Sequence, residues 1–527
     1  MALLPQLNQL WQLHELQLKT LFHPLLLSVF FLSFLFLFKR RRSSSSSSGK
    51  VLNLPPSPPK FPIIGNIHQL GSLPHRSLRA LSQKHGYDLM LLQLGQAATL
   101  VISSAEMVNE ILKSHDIVFS NRPKTTAADI LLYGCKDVGF APYGEYWRQV
   151  RKISVLELLS VKRVNQFQFV RDQEVELLVG RIRKASQSGS SINISELLMA
   201  ISNNIVARCV LGLSVVDENG KSRFGEVARK LMVQLTEFCI ADFFPSLRWI
   251  DALRGYIGRL KETFAEMDAF FDEVIEERKA ALGKDSGSSD AKDFIDILLQ
   301  LQKDEMLGFE LAQSDIKGIL MDMFLGGSDT TSTALEWMMS ELMRNPEVMN
   351  KAQEEVRRVV GKKPKIDMDD INKMEYMKCV VKENLRLHPP VPLLVPRETT
   401  KDIEMGGYHI PEKTRVFINA WAIQRDPRMW LDRPEEFVPE RFMNSNVEFK
   451  GQDLQLIPFG FGRRGCPGVT FGVCSTEYVI ANLLYWFDWK LPAGQLGKDL
   501  DMSEVYGLTV PKKVRLHVVP IPYFPAA

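Results

Sequence analysis

The sequence predicts a mainly α-helical protein with a minor β-sheet region, in which a single large domain follows an N-terminal transmembrane anchor. Three observations predict this class: helical apolar periodicity over most of the chain, few short stretches of strand type, and an uncharged apolar run near the N-terminus. The chain has 527 residues, 45% of them hydrophobic, which is ample for a large core. Its net charge of +3 is too small to indicate a nucleic-acid partner.

The apolar run at 21–38 is the predicted transmembrane anchor, and residues 1–20 form an N-terminal extension before it. The run carries no formal charge and spans roughly 27 Å as a helix, enough for a thin bilayer. A basic cluster at 39–42 follows directly, which predicts a cytosolic location for the body of the protein. A cleaved signal peptide is the alternative, but its positive charge would precede the apolar run. We therefore expect a single-pass protein whose anchor contacts membrane lipid.

A spacer and hinge are predicted at 39–65, between the anchor and the large domain at 66–527. Six serines at 43–48 indicate a flexible spacer. The prolines clustered at 55–62 enforce a stiff extended segment that cannot be helical. Such a hinge would hold a soluble domain at a set angle to the membrane, although an ordinary linker has the same composition.

Local patterns within the large domain predict its elements. The predicted strands are Leu89–Leu94, Thr99–Ile102 and Thr414–Ile418, with a hairpin at Gly406-Gly407. The clearest helices are Val175–Lys184, Leu260–Arg278 and Ile316–Arg344, and Lys284–Lys292 is a predicted polar loop. No internal repeat divides this region, so we expect a single domain.

Cys466 is the most informative residue, because glycines, a proline and two arginines surround it in the segment 459–468. Glycines allow the backbone to approach a flat macrocycle closely. Pro467 suits the first position of a helix, where a thiolate is stabilised by unpaired N–H groups. This pattern predicts a haem-thiolate ligand, and the alternative is a buried structural cysteine. The other five cysteines are too dispersed for a disulfide framework and are interpreted as reduced: Cys135, Cys209, Cys239, Cys379 and Cys474.

The long helix predicted at Ile316–Arg344 contains the unfavourable segment 326–331 in its middle. Gly326 and Gly327 each cost roughly 1 kcal/mol relative to alanine in a helix interior. The Thr330 hydroxyl can bond back to the Gly326 carbonyl and bend the helix. Such a helix can pass close to a flat cofactor and open a slot for O2 and water. Asp329 and Thr330 then become candidates for proton delivery, whereas a kinked helix without chemistry is the alternative.

Charged residues in apolar surroundings predict a structural ion pair and a set of donors. Glu383 and Arg386 lie three apart on one helix face, and Arg441 can supply a second guanidinium. A buried pair of this kind needs further hydrogen bonds to offset its desolvation. Further donors suited to carboxylates are Trp147, Arg151, Arg397 and Arg464.

Together, these motifs resemble the cytochrome P-450 monooxygenases. The resemblance covers about residues 21–520 in the order of that family, and the wording of 382–390 and 459–468 is similar to its plant microsomal branch of specialised metabolism. It implies the cytochrome P450 fold, a haem b cofactor, and an endoplasmic reticulum membrane location with the catalytic domain in the cytosol. Gly326 and Ser328 depart mildly from the family pattern, and both keep the slot small.

The resemblance also implies roles for individual residues. Cys466 would be the axial ligand of haem iron, shielded by Phe459, and Asp329 and Thr330 would deliver protons. The haem propionates would be held by Trp147, Arg151, Arg397 and Arg464, while Gly326, Gly327 and Gly468 would let the backbone approach the ring. Glu383, Arg386 and Arg441 would form a structural lock. The substrate pocket would include Leu131, Phe238, Phe324, Val391, Leu394 and Leu508.

The implied reaction is the oxidation, typically hydroxylation, of a small hydrophobic plant metabolite such as a terpenoid, phenylpropanoid, coumarin, indole or oxime. The sequence has no flavin or nicotinamide motif, so NADPH electrons are expected from NADPH–cytochrome P450 reductase, with cytochrome b5 as a second candidate donor. Arg148, Lys152 and Arg463 could dock such an acidic partner. The alternatives are a haem-thiolate isomerase or dehydratase that works without O2 or reductase, and a non-enzymatic haem-binding or scaffold protein.

Overall fold

The computed structural model describes residues 28–29, 31, 52–215, 223–282, 292–303 and 310–523. The chain divides into two compact units, 1–53 and 54–527, and almost every described residue belongs to the second. Of the predicted anchor, only Ser28, Val29 and Phe31 are described, and they are helical. The extension at 1–20 and the serine spacer lie outside the described residues, as does the loop predicted at 284–292 except for Lys292.

The described part of the second unit is mainly helical, as predicted. Its helices are α1 (Pro74–His85), α2 (Ala105–Glu110), α3 (Thr126–Leu131), α4 (Glu145–Ile153), α5 (Val161–Gln166), α6 (Gln168–Ser186), α7 (Ile194–Leu211), α8 (Arg223–Gln234), α9 (Arg248–Leu253), α10 (Tyr256–Leu282), α11 (Phe294–Lys303), α12 (Gln313–Arg344), α13 (Pro346–Val360), α14 (Met368–Asn372), α15 (Glu375–Leu387), α16 (Ala420–Ile423) and α17 (Val469–Trp486). Its strands are β1 (Leu89–Leu94), β2 (Ala97–Ile102), β3 (Ile192–Asn193), β4 (Arg397–Glu398), β5 (Ile403–Met405), β6 (Tyr408–Ile410), β7 (Arg415–Ile418), β8 (Phe487–Lys490) and β9 (His517–Pro522). All three predicted helices and all three predicted strands are confirmed, with boundaries shifted by a few residues.

The strands form three small sheets. The largest has the order β1-β2-β7-β4, in which β2 and β7 run parallel and the other neighbours are antiparallel. The second has the order β3-β9-β8. The third is the predicted hairpin, β5-β6, and both glycines of its turn have left-handed backbones, with φ of 57° at Gly406 and 77° at Gly407. A side chain there would be strained, which explains the glycine pair.

Helix α12 crosses the core and packs most extensively against α7. Close approach is possible because Gly327 lacks a side chain: a Cβ at that position would lie 2.9 Å from Cγ2 of Val206 on α7. Helix α7 is also long and apolar enough to cross a membrane, and within the described ranges it is the one such helix. It is 78% buried inside the protein, so it is a core helix.

The predicted lock of Glu383, Arg386 and Arg441 is a fully connected buried network. Both oxygens of Glu383 accept from Arg386, Oε2 from Nε at 2.7 Å and Oε1 from Nη2 at 2.9 Å. Oε1 also accepts from Arg441 Nε at 3.0 Å and from the backbone N–H of Val438 at 2.8 Å. The remaining Arg386 donors bind the carbonyls of Gln424, Pro434 and Glu436. These extra bonds are what a buried pair needs to offset its desolvation.

Candidate active site

A cavity of about 290 Å³ lies between helix α12 and the cysteine segment 459–468. Gly326, Gly327 and Thr330 line one wall, and Cys466 lines another. The remaining lining is largely aliphatic and aromatic, with a cluster of arginines. The structure therefore brings together the two motifs that the sequence singled out, although 136 residues separate Thr330 from Cys466.

The cysteine segment forms a tight turn that presents Cys466 to the cavity. Gly462 has a left-handed backbone with φ of 64°, and a Cβ there would lie 2.4 Å from Oδ1 of Asp116. The turn is closed by the Cys466 N–H, which donates to the Phe459 carbonyl at 2.8 Å. Cys466 lines the cavity, so the exposed surface of this residue lies inside a cavity that protein encloses, and not on the outer surface.

The sequence predicted Pro467 as the first residue of a helix. In the structure, helix α17 begins at Val469 with Gly468 as its N-cap, so Pro467 precedes the helix. The Gly468 N–H donates to Sγ of Cys466 at 3.3 Å. Burial raises the pKa of the Cys466 thiol, while this N–H and the charge of Arg151 act in the opposite direction. The two lowering contributions are the features expected of a site that binds a thiolate.

The opposite wall is the middle of α12, which runs as one continuous helix through the unfavourable segment 326–331. A Cβ at Gly326 would meet no atom within 4 Å, so this glycine leaves open space on the cavity side. The predicted back-bond is present: Oγ1 of Thr330 donates to the Gly326 carbonyl at 2.5 Å. The hydroxyl thus has a fixed acceptor within the helix and lies on the cavity wall.

Four arginines line the same cavity: Arg122, Arg151, Arg397 and Arg464. Arg151 Nη2 donates to the Gly465 carbonyl at 2.6 Å, which links α4 to the cysteine segment. Arg397 Nη2 donates to the Phe461 carbonyl at 2.8 Å, but its Nη1 is buried without a hydrogen-bond partner among the described residues. Arg464 donates to the carbonyls of Ser120, Val138 and Ala141.

This cluster of positive charge fits a flat cofactor that carries carboxylates. Burial lowers the pKa of Arg397 to about 10. Burial, followed by the charge of Arg397, lowers that of Arg464 to about 9. A bound anion would offset the free-energy cost of burying these two positive charges. The unpartnered Nη1 of Arg397 could donate a hydrogen bond to such an anion. The residues present therefore fit haem, with a thiolate on one side and acid-binding arginines at the edge.

Trp147 and Asp329 lie beside the cavity and not in its wall. The Trp147 indole N–H already donates to the Val138 carbonyl at 3.0 Å, and the Arg464 guanidinium lies 4.2 Å from the centre of its ring. Trp147 is thus placed to support Arg464. Asp329 lines a second, smaller cavity of about 170 Å³, where it accepts from the hydroxyl of Thr509. Burial raises the pKa of Asp329.

The predicted substrate residues divide into two groups. Val391, Leu394 and Leu508 line the main cavity, as do Phe459 and Gly468. Leu131 and Phe324 are fully buried in the surrounding core and do not line it. Phe238 is 44% exposed and stacks on Phe243, so its predicted place in the pocket is corrected to the surface. The family resemblance indicates which segments surround the pocket, but it does not indicate which side of each helix faces the cavity.

Sequence reasoning missed Arg122 and Asp322, which also line the cavity. Arg122 is held by the carbonyls of Gly139, Val395 and Pro396, and no local pattern marks it. Asp322 did leave a signal, because it is the one charged residue in the apolar stretch 318–327 of α12. An isolated carboxylate at such a place is buried and must be partnered.

Comparisons with known proteins are consistent with this geometry. The sequence profile of the family described as Cytochrome P450 matches residues 55–518. The chain is 57% identical to phenylacetaldehyde oxime monooxygenase CYP71AN24 of Prunus mume over the whole of both chains. It is 46% identical to strychnine-11-hydroxylase of Strychnos nux-vomica, over 94% of this chain and 97% of that one. A zebra fish cytochrome P450 solved with progesterone superposes with a TM-score of 0.71 at 25% identity, over 85% of this chain and 99% of that chain.

Proposed function

The chain belongs to the cytochrome P450 family, and from this premise we propose that it is a plant haem-thiolate monooxygenase that oxidises a small hydrophobic metabolite with electrons from a separate reductase. The observation that carries the proposal is the thiol of Cys466, which opens into an apolar cavity opposite Gly326 and Thr330. Its relatives are named as monooxygenases and hydroxylases, so oxidation is the activity of the family branch.

The residues that would hold the cofactor are Cys466, as the ligand of iron, and the arginines, as partners of its acid groups. Thiolate-ligated haem supplies the cleavage of O2 that transfers one oxygen atom to an organic substrate and releases the other as water. Gly326 leaves room on the cavity side of α12. The apolar walls exclude bulk water, which limits the loss of reducing equivalents to side reactions.

Thr330 and Asp329 divide the handling of protons in this proposal. Thr330 holds a hydroxyl on the wall of the main cavity. Asp329 faces the second cavity, which is also lined by Arg229, Arg515 and Glu336 and shares Met232 with the first. Because burial raises its pKa, Asp329 can carry a proton from this polar cavity toward the helix interior.

Replacing Thr330 with valine should lower coupled product formation about 100-fold or more, the usual scale of a lost proton-transfer group. The shape of the side chain is kept and only the hydroxyl is removed, so haem content should stay at the wild-type level. Product formed per NADPH consumed is the measurement. Thr330→Ser should retain most of the coupling.

A matched control for Thr330 is available on helix α10. The hydroxyl of Thr263 also donates to the carbonyl four residues earlier, that of Arg259, at 3.1 Å, and Thr263 lines neither cavity. Thr263→Val should leave coupling unchanged. If Thr330→Val remained fully coupled, the assigned role of Thr330 would be wrong.

The substrate is proposed to be a small, mostly apolar molecule with an aromatic ring. The lining away from the arginines includes Leu132, Phe140, Val210, Met323, Val391 and Leu508. Such a surface binds by area burial and has few polar groups to fix an orientation. The relative from Prunus mume is named for an oxime of phenylacetaldehyde, which is a compound of this size and polarity.

Electrons are proposed to arrive at the face formed by α4 and the cysteine segment. Arg148, Lys152 and Arg463 are exposed there, and the bond from Arg151 to Gly465 holds the two elements together. Exposed cations of this kind favour encounter with an acidic reductase.

A membrane-proximal surface is proposed where the hinge meets the segment 238–253. The turn between β1 and β2 joins them, because the Gly95 N–H donates to the Ile64 carbonyl and the Gln96 N–H to the Phe243 carbonyl. Large apolar side chains remain exposed around this junction: Phe61 at 59%, Ile63 at 55%, Trp249 at 56% and Leu253 at 77%. An exposed apolar patch at the end of the hinge suits a lipid surface.

Trp249 provides the test of this surface. In the full-length protein reconstituted into vesicles, brominated lipid should quench part of the tryptophan fluorescence. The quenched part should be smaller in Trp249→Phe, and what is left would come from other tryptophans such as Trp11, ten residues before the predicted anchor. Quenching that is identical in the two proteins would contradict the placement of this patch at the membrane. Leu431→Glu is a suitable control, and its quenching should equal that of the wild type. Leu431 is 86% exposed and lies away from the patch. The nearby Arg428 pairs with Asp88, which is at the end of β1 opposite the β1–β2 turn.

The experiment that tests the proposed activity is turnover with isotopically labelled dioxygen. The reaction would contain NADPH, a plant reductase and a panel of small aromatic metabolites. One labelled oxygen atom should be incorporated into the product, and activity should depend on NADPH. Turnover without NADPH or O2 would instead identify a haem-thiolate isomerase or dehydratase.

A further inference from the structure

The segment 136–141 lies along one face of helix α12, beside the candidate active site. Its carbonyl at Lys136 lies so close to the helix that a Cβ at Gly318 would be 2.3 Å from that oxygen. The hydroxyl of Tyr146 contacts both the segment and the helix. It lies 3.0 Å from the Lys136 carbonyl oxygen and 3.2 Å from Oδ1 of Asp315 on α12, and it can donate to either. This segment is therefore pressed onto the helix at its first residue.

Two buried carboxyl groups hold the rest of the segment. Oδ2 of Asp322 accepts from the backbone N–H groups of Val138 and of Gly139, the latter at 3.0 Å. Oδ2 of Asp137 accepts from the Phe140 N–H at 2.7 Å. Three successive backbone N–H groups of the segment are thus satisfied by carboxylate oxygens, and Asp322 lies on the same helix face as Gly318, one turn further along.

The two carboxyl groups are close neighbours, and each influences the pKa of the other. Burial, followed by the charge of Asp137, raises the pKa of Asp322 well above its usual range. Burial raises the pKa of Asp137 to about 6, although hydrogen bonds to it and the charge of Arg122 act in the opposite direction.

The carbonyls of the same segment point to the donors at the edge of the cavity. The Val138 carbonyl accepts from Trp147 Nε1 at 3.0 Å and from Arg464 Nη1 at 3.2 Å. The Gly139 carbonyl accepts from Arg122 Nε at 2.8 Å. The Ala141 carbonyl accepts from Arg464 Nη2. The backbone of 138–141 therefore connects the two acids on one side with Arg122 and Arg464 on the other.

We propose that Asp322 and Asp137 are positioning residues for the cofactor: they fix the backbone of 138–141, whose carbonyls orient Arg122 and Arg464 toward the acid groups of haem. This inference rests on the proposed function, since it assigns these arginines a haem partner. The acids act through the backbone and do not themselves bind the cofactor. Removing them should loosen the arginines and accelerate haem release while the fold remains intact.

The test is the rate at which the purified full-length holoprotein loses haem to an excess of a haem-scavenging protein. Asp322→Leu leaves the N–H groups of Val138 and Gly139 without their acceptor. One unsatisfied buried donor is equivalent to roughly a tenfold change in an equilibrium constant, so haem release should be about tenfold faster or more. Asp322→Asn keeps a side-chain oxygen that can accept from both N–H groups, and its release rate should stay near that of the wild type.

Gly318→Ala tests the same segment while both acids and the residues of the cavity wall are kept. Its new methyl group would collide with the Lys136 carbonyl, so haem release should accelerate here too. Gly180→Ala on α6 is the matched control, because a Cβ there meets no atom within 4 Å. Val356→Ala, at a fully buried position of α13, lowers overall stability elsewhere and should not accelerate haem release at temperatures well below unfolding.

Wild-type release rates in both Asp322→Leu and Gly318→Ala would overturn the inference. Equal acceleration in Val356→Ala would also overturn it, since the effect would then reflect general stability. A wild-type protein that takes up no haem at all would overturn the proposed function, and the inference with it.

Discussion

Replacing Cys466 with alanine should abolish turnover and remove the spectral signature of thiolate ligation. Cys466 is the cysteine whose thiol opens into the cavity, and its Sγ accepts the Gly468 N–H. The arginines and the apolar walls are untouched by the substitution, so some haem should still bind without its sulfur ligand. Activity with NADPH and reductase, together with the absorption spectrum of the purified protein, measures both consequences.

Cys474→Ala is the matched control for this experiment. Cys474 is the sixth residue of α17 and is half-buried, so its replacement leaves the cysteine turn intact. The spectrum and turnover of Cys474→Ala should equal those of the wild type. Retained activity in Cys466→Ala would show that another residue binds the iron.

Breaking the lock should produce the largest loss of stability. In Arg386→Met, Glu383 keeps its bonds to Arg441 and to the Val438 N–H but loses both bonds to Arg386. The carbonyls of Gln424, Pro434 and Glu436 also lose a donor. Removing one partner of a buried ion pair costs about 3–5 kcal/mol in the free energy of unfolding, a large part of the stability of a domain.

The unfolding midpoint in denaturant, or failure to accumulate folded protein, measures this loss. Arg433→Ala is the control, because Arg433 is about half exposed and pairs with the exposed Asp432. Exposed pairs contribute about 0–1 kcal/mol, so this variant should unfold close to the wild-type midpoint. Equal stability of Arg386→Met and Arg433→Ala would contradict a structural role for the buried network.

Much of the fold followed from local sequence signals. Strand β1, the hairpin at Gly406-Gly407 and the long helix each have a strong period or a turn that only glycine tolerates, and the structure has all of them. The ion pair of Glu383 with Arg386 was also predictable. Two opposite charges three residues apart share one helix face, and in apolar surroundings each needs a charged partner.

The remaining site residues depend on tertiary packing. Phe324 and Thr330 lie on the same helix, but only Thr330 faces the cavity, and the direction is set by how α12 packs on α7. Arg122 reaches the cavity from a loop without any local pattern. Thr509 meets Asp329 across 180 residues, a contact that spacing along one sequence does not reveal.

The central claim is that the sulfur of Cys466 binds the iron of haem, and the carbon monoxide difference spectrum of the reduced wild-type protein tests it most directly. The account predicts a Soret band at the position characteristic of thiolate-ligated haem. A band at the position of imidazole-ligated haem, or a colourless protein after haem supplementation, would contradict it.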